Sequence, residues 1–236
     1  MKPLMLAAAL LAAALSPASQ AADTAQTAAK TDSNTEAKSG AKSDAKTDTK
    51  AVTKGDAKPA GKGLPPQVQV VTSLGNFVIE LNPERAPLTV AQFLKFVDQG
   101  YYSGTIFHRS IPNFVIQGGG YDGDYKLKGN PPNVVNESGN GLTNTRGTVG
   151  LARPSEPHDG DVQFYVNLND NAALDPSAAR WGYAVFGKVV QGMDVVDRIG
   201  NVATGARGPF KENAPLKNIT IEKIERVPAS ERVPSS

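Results

Sequence analysis

Cysteine is absent from the 236 residues. That excludes disulfides, thiol catalysis and cysteine-ligated zinc. Two histidines, His108 and His158, leave little material for a histidine-based metal site. Aromatic residues are few and unevenly placed: eight Phe, six Tyr and one Trp all fall between Phe77 and Phe210. A core needs large apolar side chains, so only the segment from residue 67 onward can build one, and its length suits one ordinary domain. Neither charge sign dominates. Residues 67–236 carry 16 basic and 17 acidic residues, and a near-neutral domain lacks the basic surface that general nucleic-acid binding requires. There is no Gly-x-Ser-x-Gly elbow, no His-Glu-x-x-His and no Walker loop. Asp122/Asp124 and Asp159/Asp161 have the spacing that opens a calcium loop, but neither pair has the later acidic ligand.

The first 66 residues read as address and tether. Lys2 gives a basic start, Leu4 to Leu15 is uncharged, Ser16-Pro17 breaks the run, and Ser19-Gln20-Ala21 offers small residues at a cleavage site. This is the pattern of a secretory signal peptide over residues 1–21. The run of about 12 residues is shorter than the ~20 a bilayer span requires. No cysteine follows to carry a lipid anchor, so a soluble periplasmic protein without a membrane anchor is expected. Residues 22–66 are rich in Ala, Lys, Thr, Ser, Asp and Gly, with Val52 and Leu64 the only large aliphatics. Such a stretch cannot bury enough apolar area to offset the entropy of ordering. Its lysines at 38, 42, 46, 50, 54, 58 and 62 would repel one another on a helix face. A disordered linker is therefore expected.

Residues 67–228 read as a β-rich domain, followed by a polar tail at 229–236. Val68–Val71 and Phe77–Leu81 around Thr72-Ser73-Leu74-Gly75-Asn76 predict a hairpin. Val90, Phe93, Leu94 and Val97 have helical spacing, ended by Gly100. Thr105–Arg109, Phe114–Gln117, Thr148–Ala152, Val162–Asn167 and Tyr183–Val189 are short strand candidates. Met193–Ile199 fits a short helix, and Ile219, Ile221 and Ile224 fall in a final strand. Gly118-Gly119-Gly120, with no Lys-Ser/Thr after it, is read as a tight turn. Many short strands with Gly/Pro turns indicate a sandwich or a barrel, and composition does not choose between them.

The informative segment is Phe107-His108-Arg109-Ser110-Ile111-Pro112-Asn113-Phe114-Val115-Ile116-Gln117-Gly118-Gly119. It resembles the signature of the cyclophilin family of peptidyl-prolyl isomerases. The similarity continues through Gly147–Arg153, Val162–Val166 and Tyr183–Val189, and includes Gly75–Leu81 and the Ala86-Pro87-x-Thr89-Val90-x-x-Phe93 helix start. With the leader, the chain is most similar to the periplasmic cyclophilins of Gram-negative bacteria. The resemblance implies a mainly β fold, a closed eight-stranded antiparallel barrel capped by two α-helices. It also implies a peptidyl-prolyl cis-trans isomerase that needs no cofactor and acts, as a monomer, on unfolded or partly folded exported polypeptides with X-Pro bonds. The alternative is a cyclophilin-fold module that binds Pro-containing segments without turnover.

Residue by residue, the resemblance makes Arg109 the catalytic arginine, Phe114 a wall of the proline pocket and Gln117 the polar residue beside the arginine. Ala152, Arg153, Gln163, Tyr165, Leu174 and Tyr183 fall at further groove positions. His108 is expected to pack and hydrogen-bond rather than act as a base. Some positions depart from the family pattern. Val115 replaces a Met, Tyr165 a Phe, Tyr183 a His of eukaryotic members, and Val162 a small residue. Ala173 stands where many eukaryotic members have a Trp that contacts cyclosporin, so weak binding of the drug is expected. Trp181, eight residues later, is a candidate to refill that space.

Overall fold

The structure, a computed structural model, describes residues 64–129 and 131–234. The proposed leader and nearly all of the proposed tether lie outside them. β1 (Gln67–Thr72) and β2 (Gly75–Leu81) form the expected hairpin, in register from Gln67↔Glu80 to Thr72↔Gly75. The Thr72 hydroxyl closes the turn, donating to the Gly75 carbonyl at 2.6 Å and accepting from the Leu74 amide at 3.2 Å. α1 (Pro87–Asp98) starts with proline in its first turn, where no helical amide bond is lost. It buries Val90, Phe93, Phe96 and Val97. The cap comes from far along the chain: Glu137 accepts from the Leu88 and Thr89 amides at 3.0 and 2.8 Å and from the Thr89 hydroxyl at 2.7 Å. One carboxylate thus satisfies two orphan donors at the positive end of the helix dipole.

The chain continues through β3 (Thr105–Ile111), β4 (Val115–Asp122), β5 (Thr148–Leu151), β6 (Phe164–Asn167), β7 (Val185–Gln191), α2 (Met193–Gly200), β8 (Thr204–Arg207), β9 (Phe210–Pro215) and β10 (Thr220–Arg226). Eight strands close into a barrel in the order β1-β10-β3-β4-β6-β5-β7-β2, every neighbour antiparallel. This is the barrel that the resemblance implies, and it settles the choice that composition left open. Closure leaves the barrel itself no unpaired edge. The hairpin β8–β9 stands apart as its own two-stranded sheet.

The core fills the barrel and its contact with α1. Phe77, Phe93, Tyr102, Phe107, Phe164 and Phe186 are all fully buried. Phe93 reaches in from α1, its ring 5.3 Å from Tyr102, 5.8 Å from Phe164 and 5.2 Å from Phe186. Burying a side chain of this kind stabilises the fold by roughly 1.5–3 kcal/mol. The one polar atom of the cluster is matched, since the Tyr102 hydroxyl donates to the Val162 carbonyl at 2.9 Å. Burial pushes that phenol well above its usual pKa.

One reading is corrected. Gly118-Gly119-Gly120 is not a turn but the middle of β4. The glycines are there because other groups press against the strand. A Cβ at Gly120 would lie 2.5 Å from the Gln163 side chain. Beyond β10 the chain folds back over the start of β1. The Gln67 side chain donates to the Val233 carbonyl at 2.6 Å and accepts from its amide at 3.0 Å, while Arg232 bonds the Leu64 carbonyl.

Candidate active site

An irregularity in the β3–β4 ladder aims the first residue. Phe107 pairs with Gly118 and Arg109 with Gln117, so β3 carries one extra residue, His108. In a regular strand Phe107 and Arg109 would share a face. The bulge lets Phe107 enter the core, fully buried, while Arg109 stays on the outer wall, partly exposed. The β3–β4 turn then sets Phe114. Asn113 adopts a left-handed φ of 59°, and the Phe114 amide donates to the Ile111 carbonyl at 3.1 Å. On β6 the alternation is regular: Phe164 and Val166 join the barrel core and Tyr165 faces outward.

Two groups of side chains result. Val115, Ala152 and Tyr165 form a small buried apolar cluster, with Phe114, Leu174 and Tyr183 packed against it. The Tyr165 and Tyr183 rings meet edge to face at 6.1 Å. Gly150 lies under the Tyr165 ring, where any Cβ would collide with the ring's Cζ and hydroxyl. Alongside runs a polar row. Arg109 Nη1 donates to Gln117 Oε1 at 3.3 Å, and Gln117 Nε2 donates to Gln163 Oε1 at 3.5 Å. A guanidinium only donates, so Gln117 must turn its oxygen to Arg109 and its nitrogen to Gln163. Both groups meet where Gln117 pairs with Tyr165 across β4 and β6. Arg153 closes the far end, its guanidinium 4.5 Å above the Tyr183 ring and bonded to the carbonyls of Pro154, Ser155 and Trp181. All nine residues singled out from the sequence thus lie on one continuous outward face. Arg153 is tied into its own loops, whereas Arg109 has Gln117 as its only hydrogen-bond acceptor among the described residues.

A sequence model of the family described as cyclophilin type peptidyl-prolyl cis-trans isomerase matches residues 67–226. The chain belongs to the cyclophilins. It is 48% identical over 158 residues to the peptidyl-prolyl cis-trans isomerase A of Dickeya dadantii, covering 67% of this chain and 83% of that relative. It is 44% identical over 156 residues to the isomerase B of Escherichia coli, covering 65% of this chain and 94% of the relative. A crystal structure of a Cryptosporidium parvum cyclophilin superposes with a TM-score of 0.57 at 24% identity, covering 69% of this chain and 98% of that one, a likeness of fold. The protein is a peptidyl-prolyl cis-trans isomerase and acts on proline-containing peptides.

The cyclophilin departures now have positions. The Tyr165 hydroxyl is buried and donates to Asn144 Oδ1 at 2.6 Å. Burial, with Tyr183 and Asp175 nearby, pushes its pKa far up. Val115 is buried within the apolar cluster. Ala173 is exposed. Trp181 packs edge to face on His158 at 5.2 Å, and it is Arg180 that reaches the Ala173 carbonyl, at 2.5 Å. His108 does pack, stacked on Phe210 at 5.2 Å and beside Tyr121 at 4.7 Å. The Ile106 backbone supplies the expected hydrogen bond, while Nδ1 is buried without a partner. Burial, then the charge of Arg109, lowers its pKa to about 4, so it is neutral at physiological pH. The sequence reading missed Asn144, although the extra hydroxyl of Tyr165 was a signal that a buried partner must exist.

Proposed function

We propose that this cyclophilin accelerates X-Pro rotation in exported polypeptides and so assists their folding in the periplasm, with Arg109 as the group that stabilises the twisted amide. Planar cis and trans X-Pro forms differ by only about 1 kcal/mol, while amide resonance sets a barrier of ~18–20 kcal/mol. The catalyst needs to favour the twisted state over both planar ones. In that state the proline nitrogen regains a lone pair, which an arginine N–H can meet. The observation that carries this reading is the row Arg109–Gln117–Gln163 running directly beside the apolar cluster. Phe114, Tyr165 and Leu174 grip the proline ring and Val115 backs it. Gln117 holds the guanidinium plane, and Gln163, whose Oε1 accepts from Gln117, offers its Nε2 amide to a peptide carbonyl. Taking a step of ~20 s to a few milliseconds requires roughly 10⁴-fold, or about 5.5 kcal/mol. One charge-assisted hydrogen bond in an oriented groove is of the right order.

The export part of the proposal rests on the leader pattern of residues 1–21. The test is to express the full chain in a Gram-negative host, fractionate the cells and sequence the mature N-terminus. A periplasmic protein starting at Ala22 is expected. A cytoplasmic protein that retains residues 1–21 overturns the export reading and leaves the isomerase assignment intact.

A further inference from the structure

Behind the apolar cluster lies a buried polar network that the isomerase mechanism does not use. Its hub is Asn144, 1% exposed, in the loop before β5. Its Oδ1 accepts from the Tyr165 hydroxyl at 2.6 Å and from Asn167 Nδ2 at 3.2 Å. Its Nδ2 donates to Asp175 Oδ1 at 2.8 Å and to the Tyr183 carbonyl at 3.4 Å. A carboxylate only accepts, so the amide has one possible orientation. The backbone joins in, with the Asn144 amide donating to Asp175 Oδ1 at 2.7 Å and the Asn171 amide to the Asn144 carbonyl at 2.7 Å. From Asn167 the network runs to Asn171, whose Nδ2 donates to Asn167 Oδ1 at 2.7 Å and to the Phe114 carbonyl at 2.9 Å. Asn171 also accepts from the Leu174 amide at 2.8 Å.

Phe114, Tyr165, Leu174 and Tyr183 come from different segments of the chain, yet all four are one or a few hydrogen bonds from this side chain. We infer that Asn144 is a positioning residue for the proline pocket, holding the Tyr165 ring by its hydroxyl and Tyr183 by its carbonyl, and fixing Phe114 and Leu174 through Asn167 and Asn171. It touches no substrate. The inference rests on the reading that the apolar cluster receives proline. The hydroxyl that distinguishes Tyr165 is a structural handle in this view, and the groove meets only the ring. A buried hydroxyl without a partner is costly, whereas deleting both partners of such a bond is nearly neutral. Removing Asn144 alone therefore drives the Tyr165 ring out of place, and removing the hydroxyl as well relieves it.

The test is a cycle of Asn144→Ala, Tyr165→Phe and the double variant, with kcat and KM on an X-Pro peptide and melting temperature for each. Asn144→Ala is expected to raise KM about tenfold with kcat within about twofold, because Arg109 and Gln117 lie outside the network. Tyr165→Phe alone should raise KM about two- to threefold. The double variant should recover at least threefold of the Asn144→Ala loss. An unchanged KM in Asn144→Ala, or a double variant no better than it, overturns the inference. A measurement on the unmodified protein decides the matter if Asn144→Ala does not fold. The Asn144 side-chain amide protons should exchange slowly with solvent and shift when the peptide saturates the groove. Fast exchange or no shift overturns it. Peptide-induced shifts that avoid Phe114, Tyr165 and Tyr183 altogether would instead remove the pocket reading itself.

Discussion

Acidification should weaken this fold through His108, without touching catalysis. His108 is 1% exposed, with its Nδ1 unpartnered between Phe210 and Tyr121. Burial, and secondarily the neighbouring Arg109 charge, lowers its pKa from 6.5 to about 4. Between those values the unfolded chain binds a proton that the folded chain does not, so stability falls as pH drops from 6.5 towards 4 and is flat above that window. Each pKa unit is worth 1.36 kcal/mol, which makes the loss about 1.4 kcal/mol at pH 5.5 and about 3 kcal/mol at pH 4. That is a large share of a typical domain stability of 5–15 kcal/mol. His108→Phe keeps a ring in the stack and removes the titration. Carboxylates also respond to acid, so the quantity to measure is the difference between the two proteins in urea unfolding at pH 7, 5.5 and 4. The unmodified protein should lose about 3 kcal/mol more than the variant by pH 4. Parallel curves would refute the linkage. The nine residues proposed for the groove include no His, Asp or Glu, so turnover per folded molecule should stay flat from pH 7 to 5. A fall in that turnover that His108→Phe abolishes would make the histidine part of the chemistry.

Arg109→Ala should cut kcat/KM by ~10²–10³, the scale of losing one preorganised donor, with little loss of peptide affinity by NMR titration; Arg109→Lys should recover only part, since a point charge does not reproduce the planar fork. Phe114→Ala should weaken binding as well as rate, and comparable affinities in Phe114→Ala and the unmodified protein would remove the pocket role. Gly120→Ala would bring a methyl to 2.5 Å from Cγ and Cδ of Gln163, so the whole Gln163 side chain must swing out of the polar row and kcat/KM should drop about three- to tenfold; an unchanged kcat/KM would contradict this. Ala173 is exposed and offers no large contact, so cyclosporin inhibition should be weak and strengthened by Ala173→Trp; low-nanomolar inhibition of the unmodified protein would show that another group replaces the indole.

The parts of the fold that were legible in the sequence are those where burial imposes a period. α1 and α2 bury Val, Ile and Phe at helical spacing, and β1 and β2 are short Val-, Ile- and Phe-rich runs around a turn signal, patterns that have no other use. The hairpin β8–β9 was not seen, because Thr-Gly-Ala-Arg and Phe-Lys-Glu-Asn-Ala-Pro have no apolar alternation. Its reason to exist is tertiary: Phe210 covers His108, two residues that are distant in sequence. The glycine triplet was misread for a related reason. Glycine marks either a turn or a place where something presses on a strand, and only the position of Gln163 decides between them.

The site divides along the same line. The nine residues proposed for the groove come from the family resemblance, which carries them position by position, and spacing alone would have left Arg109 as one surface cation among others. What makes it different is invisible in a linear reading. The extra residue His108 in the bulge turns Arg109 outward while Phe107 stays in the core. The price is a histidine buried with an unsatisfied nitrogen. The bulge that aims the guanidinium therefore creates the acid sensitivity as well. It follows that replacing the buried imidazole of His108 by an apolar ring should stabilise the domain in acid without disturbing the proposed groove, provided the two-for-one pairing of Phe107 and Arg109 with Gly118 and Gln117 is kept.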